Sequence, residues 1–161
     1  MRFIPITAID ISKVTGYSRN QVRGLLDELP IYSDQKTEPR VAREFSRSDL
    51  IVLAVVHLLE ARIGIRRKAV ATIVEPLRQA LSGPKKINRN ARLLIFIDPP
   101  AVSYLATNSS PSQDGILISL GPIFERVDEH LNFGLPYAAN DGPELNFGPG
   151  LVSSGRKKTA K

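Results

Sequence analysis

Residues 7–26 read TAIDISKVTGYSRNQVRGLL, and this stretch decides the fold of the N-terminal half. Thr7 is followed three residues later by Asp10, and Ser18 is followed three residues later by Gln21. A hydroxyl residue with an acid or an amide three positions on is typical of a helix start, because each side chain can bond the other residue's backbone N–H. The stretch therefore predicts two consecutive short helices.

A tight turn between these helices is predicted at Gly16, since glycine turns the chain sharply at low steric cost. The apolar positions on both sides are spaced so that the two helices can share one core. They are Ile11, Val14, Tyr17, Val22, Leu25 and Leu26. Together these features predict a helix-turn-helix.

The second predicted helix presents polar side chains on its outward face, namely Ser18, Arg19, Asn20, Gln21 and Arg23. Arg, Asn and Gln suit paired hydrogen bonds to base edges in the major groove of DNA. A helix-turn-helix places its second helix in that groove. We therefore expect these five residues to contact double-stranded DNA.

Charge is unevenly distributed along the 161 residues. Residues 1–92 carry 17 Lys and Arg against 9 Asp and Glu, whereas residues 93–150 carry one Arg against 7 Asp and Glu. The last eleven residues add one Arg and three Lys. A basic segment followed by an acidic one indicates that only the first faces a polyanion. The alternative is that the basic residues merely keep a surface soluble.

A β-hairpin wing is predicted after the second helix, with arms at 31–32 and 40–45 and a polar loop between them. Lys36, Arg40 and Arg43 would reach phosphates beside the groove. The alternative is a plain solvent-exposed hairpin with an ordinary mixture of charges.

A third capping pair, Ser46 and Asp49, predicts a mostly buried helix that ends at Gly64. A further helix is expected at 66–81. Pro76 lies inside its pattern and predicts a kink or a fresh helical start there.

The remainder of the chain predicts a small strand-and-helix unit followed by an irregular segment. Apolar runs of strand length occur at 93–97, 102–106 and 115–120, and an amphipathic helix is expected at 123–132. We therefore predict an α+β protein in four parts. These are a winged helix-turn-helix domain (1–82), a linker (83–92), a ββα-like unit for dimerisation or effector binding (93–132), and an irregular arm with a flexible basic tail (133–161).

Within residues 3–81 the layout resembles the MerR-like winged helix-turn-helix regulators. The matching positions are Gly16-Tyr17-Ser18 in the turn, Arg23 in the recognition helix, Arg43, Phe45, Ser46 and Asp49-Leu50 from wing to helix, and Gly64-Ile65 before the last helix. The resemblance implies a dimeric regulator that binds DNA.

Three departures from this family change what is expected. The aromatic pair that usually follows the recognition-helix Arg is Gly24-Leu25 here. The chain has no cysteine, which rules out the metal and redox inputs that some members sense through thiolates. The long dimerising helix has no counterpart, so dimerisation is assigned to the C-terminal unit.

The sequence gives little support for catalysis. His57 lies on an apolar helix, where a core or interface role is expected, and His130 adjoins Asp128 and Glu129, which point away from it on a helix. Metal-ligand spacings, phosphate-binding loops and nucleophile elbows are missing from the sequence. Asp98 precedes two prolines, which favours a turn. We expect neither enzymatic activity nor a cofactor or metal.

The first hypothesis is a sequence-specific transcription regulator that binds double-stranded DNA as a homodimer. An excisionase-like or other architectural protein that bends DNA is the alternative, and an adaptor that binds another protein is the second alternative. No apolar run approaches the ~20 residues that a membrane span needs, and the N-terminus lacks a secretory pattern. A cytoplasmic protein is therefore expected. A small-molecule effector cannot be identified from the residues.

Overall fold

The computed structural model describes residues 5–34, 42–86, 90–106, 109–131 and 144–146. Within these ranges the protein is α+β, as the sequence predicts. The helices are α1 (Ala8–Thr15), α2 (Arg19–Glu28), α3 (Pro30–Ser33), α4 (Arg47–His57), α5 (Arg67–Ala80) and α6 (Gly121–Leu131). The strands are β1 (Pro84–Lys86), β2 (Arg92–Phe96), β3 (Ala101–Leu105), β4 (Ile116–Ser119) and β5 (Glu144–Asn146).

All three predicted capping pairs begin helices. Reciprocal capping is present at Thr7 for α1, at Ser18 for α2 and at Ser46 for α4. Gly16 joins α1 to α2 with φ +83°, a left-handed conformation that a residue with a Cβ adopts only at a cost. The two-helix motif predicted from residues 7–26 is confirmed.

The prediction that residues 31–32 form a strand, the first arm of the wing, is wrong. Residues 30–33 form the short helix α3, because Pro30 occupies its first position, where a fixed φ favours a helix and no N–H is needed. The buried Tyr32 ring anchors this turn beside Phe45, with 6.0 Å between the ring centroids. Phe45 in turn donates its backbone N–H to the Ile6 carbonyl at 2.9 Å. Residues 35–41, which hold most of the predicted wing loop and the start of its second arm, lie outside the described residues.

The fourth helix ends in a π-helical turn, Leu58–Arg62, and the chain then turns at Gly64 with φ +81°. This is the predicted end of the helix, although nothing in the sequence predicted the π turn. The next helix, α5, runs through Pro76 without a second start. Because proline has no backbone N–H, Pro76 cannot donate to the Thr72 carbonyl one turn earlier.

The C-terminal unit is a three-stranded antiparallel sheet closed by α6. The strand order is β3-β2-β4, with Leu93 opposite Tyr104 on one side and Ile118 on the other. Central β2 is buried at Leu93, Leu94 and Ile95, as its apolar run predicts. The predicted strand-and-helix unit is therefore confirmed.

One correction concerns the predicted linker at 83–92. Residues 84–86 form β1, which pairs antiparallel with β5, a strand within the segment predicted as an irregular arm. Both strands are only three residues long and lie far apart in sequence. Pairing of this kind leaves no periodic signal, so the composition of the linker could not indicate it.

A single hydrophobic core connects the two predicted units. Buried side chains of α1, α2, α4 and α5 belong to the same cluster as those of β2 and α6. Arg47 of α4 and Asp128 of α6 join the units through two hydrogen bonds of 2.6 and 2.8 Å. None of the described helices combines the length and the apolar character that crossing a bilayer demands.

Candidate nucleic-acid interface

The second helix, α2, has one buried and one exposed face. Its apolar side chains Val22, Leu25 and Leu26 are buried in the core. The predicted DNA-contacting residues lie on the other side and are all exposed, namely Ser18, Arg19, Asn20, Gln21 and Arg23. The fold therefore brings this group together on one solvent-facing surface.

Two members of this group hold the start of α2. The Gln21 side-chain oxygen accepts the Ser18 backbone N–H at 2.8 Å, and the Ser18 hydroxyl oxygen accepts the Gln21 N–H at 3.2 Å. These bonds satisfy donors that a helix start would otherwise leave to solvent. Because one acceptor of Gln21 is already engaged, its amide has only part of its hydrogen-bonding capacity for a base.

The other three side chains have their donors available. Within the described part of the chain, Arg19, Asn20 and Arg23 make no side-chain hydrogen bond or ion pair. Arg19 and Arg23 lie one helical turn apart, so their guanidinium groups share a face. Acidic residues occur only at the other end of α2, at Asp27 and Glu28. The amino-terminal half of the helix is therefore the part that suits an anion.

A cluster of hydrogen-bonded polar side chains connects α2 to the rest of the protein. Arg67 donates from Nε and Nη2 to Glu60 at 2.9 and 3.1 Å, and from Nη1 to Glu28 at 3.3 Å. The Tyr17 hydroxyl donates to the same Glu60 carboxylate at 2.6 Å. We call these four residues the Arg67 cluster. It ties the turn between α1 and α2, and the end of α2, to the π turn and the start of α5.

The hydrogen bonds of the Arg67 cluster favour the charged form of Glu60. Burial alone would raise this pKa, but the hydrogen bonds from Arg67 and Tyr17 outweigh it and hold the pKa below its ordinary value. For the Tyr17 hydroxyl, burial and the Glu60 carboxylate both raise the pKa. Glu60 is therefore charged and Tyr17 neutral over the physiological range of pH.

Two basic residues near α2 were not among the predicted site residues. Arg66 and Lys68 are exposed on either side of Arg67, and a Cβ at Gly24 of α2 would lie 3.9 Å from Arg67 Nη1. The Arg67 side chain thus reaches from the start of α5 to α2. The run of basic residues at 66–68 is visible in the sequence. Only the contact of Arg67 with Glu28 shows where this run lies relative to α2.

The predicted phosphate contacts are described in part. Arg43 is half-buried in the irregular stretch before α4, whereas Lys36 and Arg40 lie outside the described residues. Their expected role in DNA contact stays a prediction.

The two histidines occupy packed positions. The His57 ring meets the Tyr17 ring edge-on, with 4.6 Å between centroids, which agrees with the predicted core or interface role. His130 lies 2.8 Å from Asp10 of α1, a partner that its sequence neighbours did not indicate. Asp98 is exposed in the turn between β2 and β3, as its prolines predict.

Comparison with known proteins leaves the local geometry as the basis for a functional conclusion. No protein-family model matches the chain, and no curated protein or solved structure matches it either.

Proposed function

We propose that the protein is a sequence-specific transcription regulator that binds double-stranded DNA through α2. The observation that carries this proposal is the exposed amino-terminal half of α2, where Arg19, Asn20 and Arg23 are not engaged by other described residues. Two capped helices joined by a tight turn at Gly16 support this proposal. The resemblance of residues 3–81 to MerR-like regulators supports the same function.

In this proposal the amino-terminal end of α2 enters the major groove, where recognition helices contact bases. Arg19 and Arg23 would donate paired hydrogen bonds to guanine, and Asn20 would bond adenine. Ser18 and Gln21 fix the start of the helix and so set the angle at which these side chains reach the bases. The acidic end of α2 points away from the phosphates.

Phosphate contacts must come from outside the two-helix motif. Described residues 5–34 carry three Lys and Arg against four Asp and Glu, so the motif alone does not attract DNA. Arg43, Arg66 and Lys68 are the described cations that we assign to the phosphates, together with the predicted contacts of Lys36 and Arg40. A homodimer would place two half-sites about one helical turn apart.

Binding to random duplexes across a salt series, followed by selection of preferred sites, tests the proposal. A specific regulator should lose affinity steeply as salt rises and should enrich one sequence, because phosphate contacts release counterions whereas base contacts discriminate. A steep salt dependence without enrichment would instead favour an architectural protein. Absence of binding at low salt would rule out the proposal and favour a protein partner.

A variant pair separates base contact from net charge. Arg23→Ala should cost ~1–3 kcal/mol on the selected site and relax one base position. Arg78→Ala removes the same charge from the far end of α5, where Arg78 is exposed and belongs to neither proposed site, and should change affinity only slightly. Equal effects of the two substitutions would show that Arg23 does not read a base.

A further inference from the structure

A surface cavity of about 240 Å³ lies in the face of the protein formed by the end of α4, β4 and the start of α6. Its aliphatic walls come from Ala54, Leu58, Leu117, Ile118 and Ile123, and polar side chains complete the lining. The π turn contributes both of its end residues, Leu58 and Arg62, to the lining. Such turns are frequent at functional sites.

The rim of this cavity exposes large apolar side chains. Ile63 is 45% exposed and Leu117 is 44% exposed, and only one other large hydrophobic residue among those described, Ile9, is comparably exposed. Both rim residues line the cavity. Apolar surface that stays exposed at the mouth of a cavity is typical of a ligand-binding site.

Two arginines also line this cavity, Arg62 from the π turn and Arg126 from α6. Arg126 is the one cation in residues 93–150, which otherwise carry 7 acids. Neither arginine is within ion-pair distance of a carboxylate in the described ranges. Two arginines at one cavity, neither with a carboxylate partner among the described residues, favour an anion as the occupant.

His57 and Ser119 also contribute polar groups to the cavity. Burial lowers the pKa of His57 below its ordinary value, and the charges of Arg126 and Arg62 lower it further, while Glu60 acts in the opposite direction. The imidazole is therefore neutral at neutral pH and offers a hydrogen bond, and the positive charge of the cavity comes from the two arginines.

We propose that this cavity binds a small organic anion, specifically a monocarboxylate with an aliphatic or aromatic body. The apolar body would pack against the aliphatic walls, and Arg62 and Arg126 would bind the carboxylate. Arginine suits this role because its planar donors pair with both oxygens of a carboxylate. An apolar cavity of about 150 Å³ in another protein holds benzene, so about 240 Å³ accommodates a somewhat larger body.

Calorimetric titration of the full chain with octanoate tests this proposal. We expect saturable binding, and we expect octan-1-ol, which has the same chain without the charge, to bind at least about tenfold more weakly. The doubly substituted protein R62Q/R126Q should lose at least about tenfold in octanoate affinity. Both arginines are exposed, so this variant should keep its urea unfolding midpoint.

A second variant tests the cavity itself rather than its charge. Leu117→Asp places a carboxylate at the exposed rim of β4 and should abolish octanoate binding without burying a charge. Arg23→Gln provides the matched control, because it removes an arginine from α2 and should leave octanoate binding unchanged. The proposal does not depend on DNA binding, because none of the proposed DNA-contacting residues lines the cavity.

Three results would overturn the proposal. These are no octanoate binding at millimolar concentration, equal binding of octanoate and octan-1-ol, and wild-type octanoate affinity in both R62Q/R126Q and Leu117→Asp. The second result would identify an uncharged apolar site, and the third would place the ligand elsewhere on the protein.

Discussion

Replacement of Arg67 by alanine is the substitution that best tests how α2 is held in place. Arg67 makes two hydrogen bonds to Glu60 and one to Glu28, and Glu60 also accepts the Tyr17 hydroxyl. The substitution therefore removes three bonds at once. It leaves the Glu60 carboxylate with one described donor, Tyr17.

The expected cost follows from the burial of each partner. The Glu60 side chain is 11% exposed and that of Arg67 is 28% exposed, so their pair lies between a surface and a buried ion pair. Breaking a buried pair from one side costs ~3–5 kcal/mol, whereas an exposed pair is worth ~0–1 kcal/mol. Because Tyr17 still bonds Glu60 after the substitution, we expect a loss of ~2–3 kcal/mol in the free energy of unfolding.

The bond to Glu28 should matter far less. Glu28 is 59% exposed and its contact with Arg67 is 3.3 Å long, so Glu28→Gln should cost less than ~0.5 kcal/mol. Glu28→Gln is thus the matched control for Arg67→Ala. The double variant R67A/E60Q carries no uncompensated carboxylate, and we expect a coupling energy of ~1–2 kcal/mol between the two positions.

Urea unfolding followed by circular dichroism measures these differences from the shift in the midpoint at constant slope. The reasoning fails if Arg67→Ala unfolds within ~0.5 kcal/mol of the wild type, where an exposed pair would place it. It also fails if Glu28→Gln is as damaging as Arg67→Ala, because the buried carboxylate would then not be the energetic centre of the cluster.

Three further predictions concern the stability of the fold, and each is checked by the urea midpoint. Gly16→Ala should cost ~1–2 kcal/mol, because φ +83° is unfavourable for alanine although a Cβ there would meet no atom within 4 Å; an unchanged midpoint would mean that the turn relaxes. Arg47→Ala should cost ~3 kcal/mol or more, since it leaves Asp128, whose side chain is 5% exposed, without its bidentate partner; a cost below ~1 kcal/mol would mean that water replaces the guanidinium. Acid should destabilise the protein below about pH 4.5, because Asp10 and Glu60 have pKa values that burial would raise but their hydrogen bonds lower below the ordinary 3.8 and 4.5. A carboxyl with a depressed pKa in the folded state stabilises that state fully above its unfolded pKa, and this contribution disappears as the pH falls through the folded pKa. A midpoint that does not change from pH 6 to pH 3 would contradict the assigned hydrogen bonds.

The features that the sequence predicted correctly depend on residues close together in the chain. The capping pairs at Thr7, Ser18 and Ser46 span three residues each, and the sharp turn needs only Gly16. The apolar run at 93–97 is likewise a local signal that a buried strand satisfies. In these places local preference and tertiary packing favour the same structure.

The features that the sequence did not predict depend on distant partners or on competition between local structures. Residues 31–32 have the composition of a strand, but Pro30 begins a helical turn that buries Tyr32. The partner of β1 lies about sixty residues further along the chain. For the candidate site, the exposed face of α2 follows from helical periodicity, whereas the position of Arg66 and Lys68 depends on the Arg67 cluster. An ion pair between residues far apart in sequence leaves no pattern to detect.

The ion pairs also show that the proposed DNA-binding motif does not depend on its own two helices alone. Asp10 accepts the Thr7 backbone N–H at 2.7 Å through Oδ2, and its other oxygen, Oδ1, lies 2.8 Å from His130 Nε2 of α6. One carboxylate thus both caps the first helix of the motif and binds the C-terminal unit. At the other end of the motif, the Tyr17 ring packs on His57, which lines the cavity between α4, β4 and α6. A ligand in that cavity would therefore contact His57, which packs directly against the Tyr17 ring. Any displacement of His57 would then disturb the packing of the turn before α2, the proposed recognition helix.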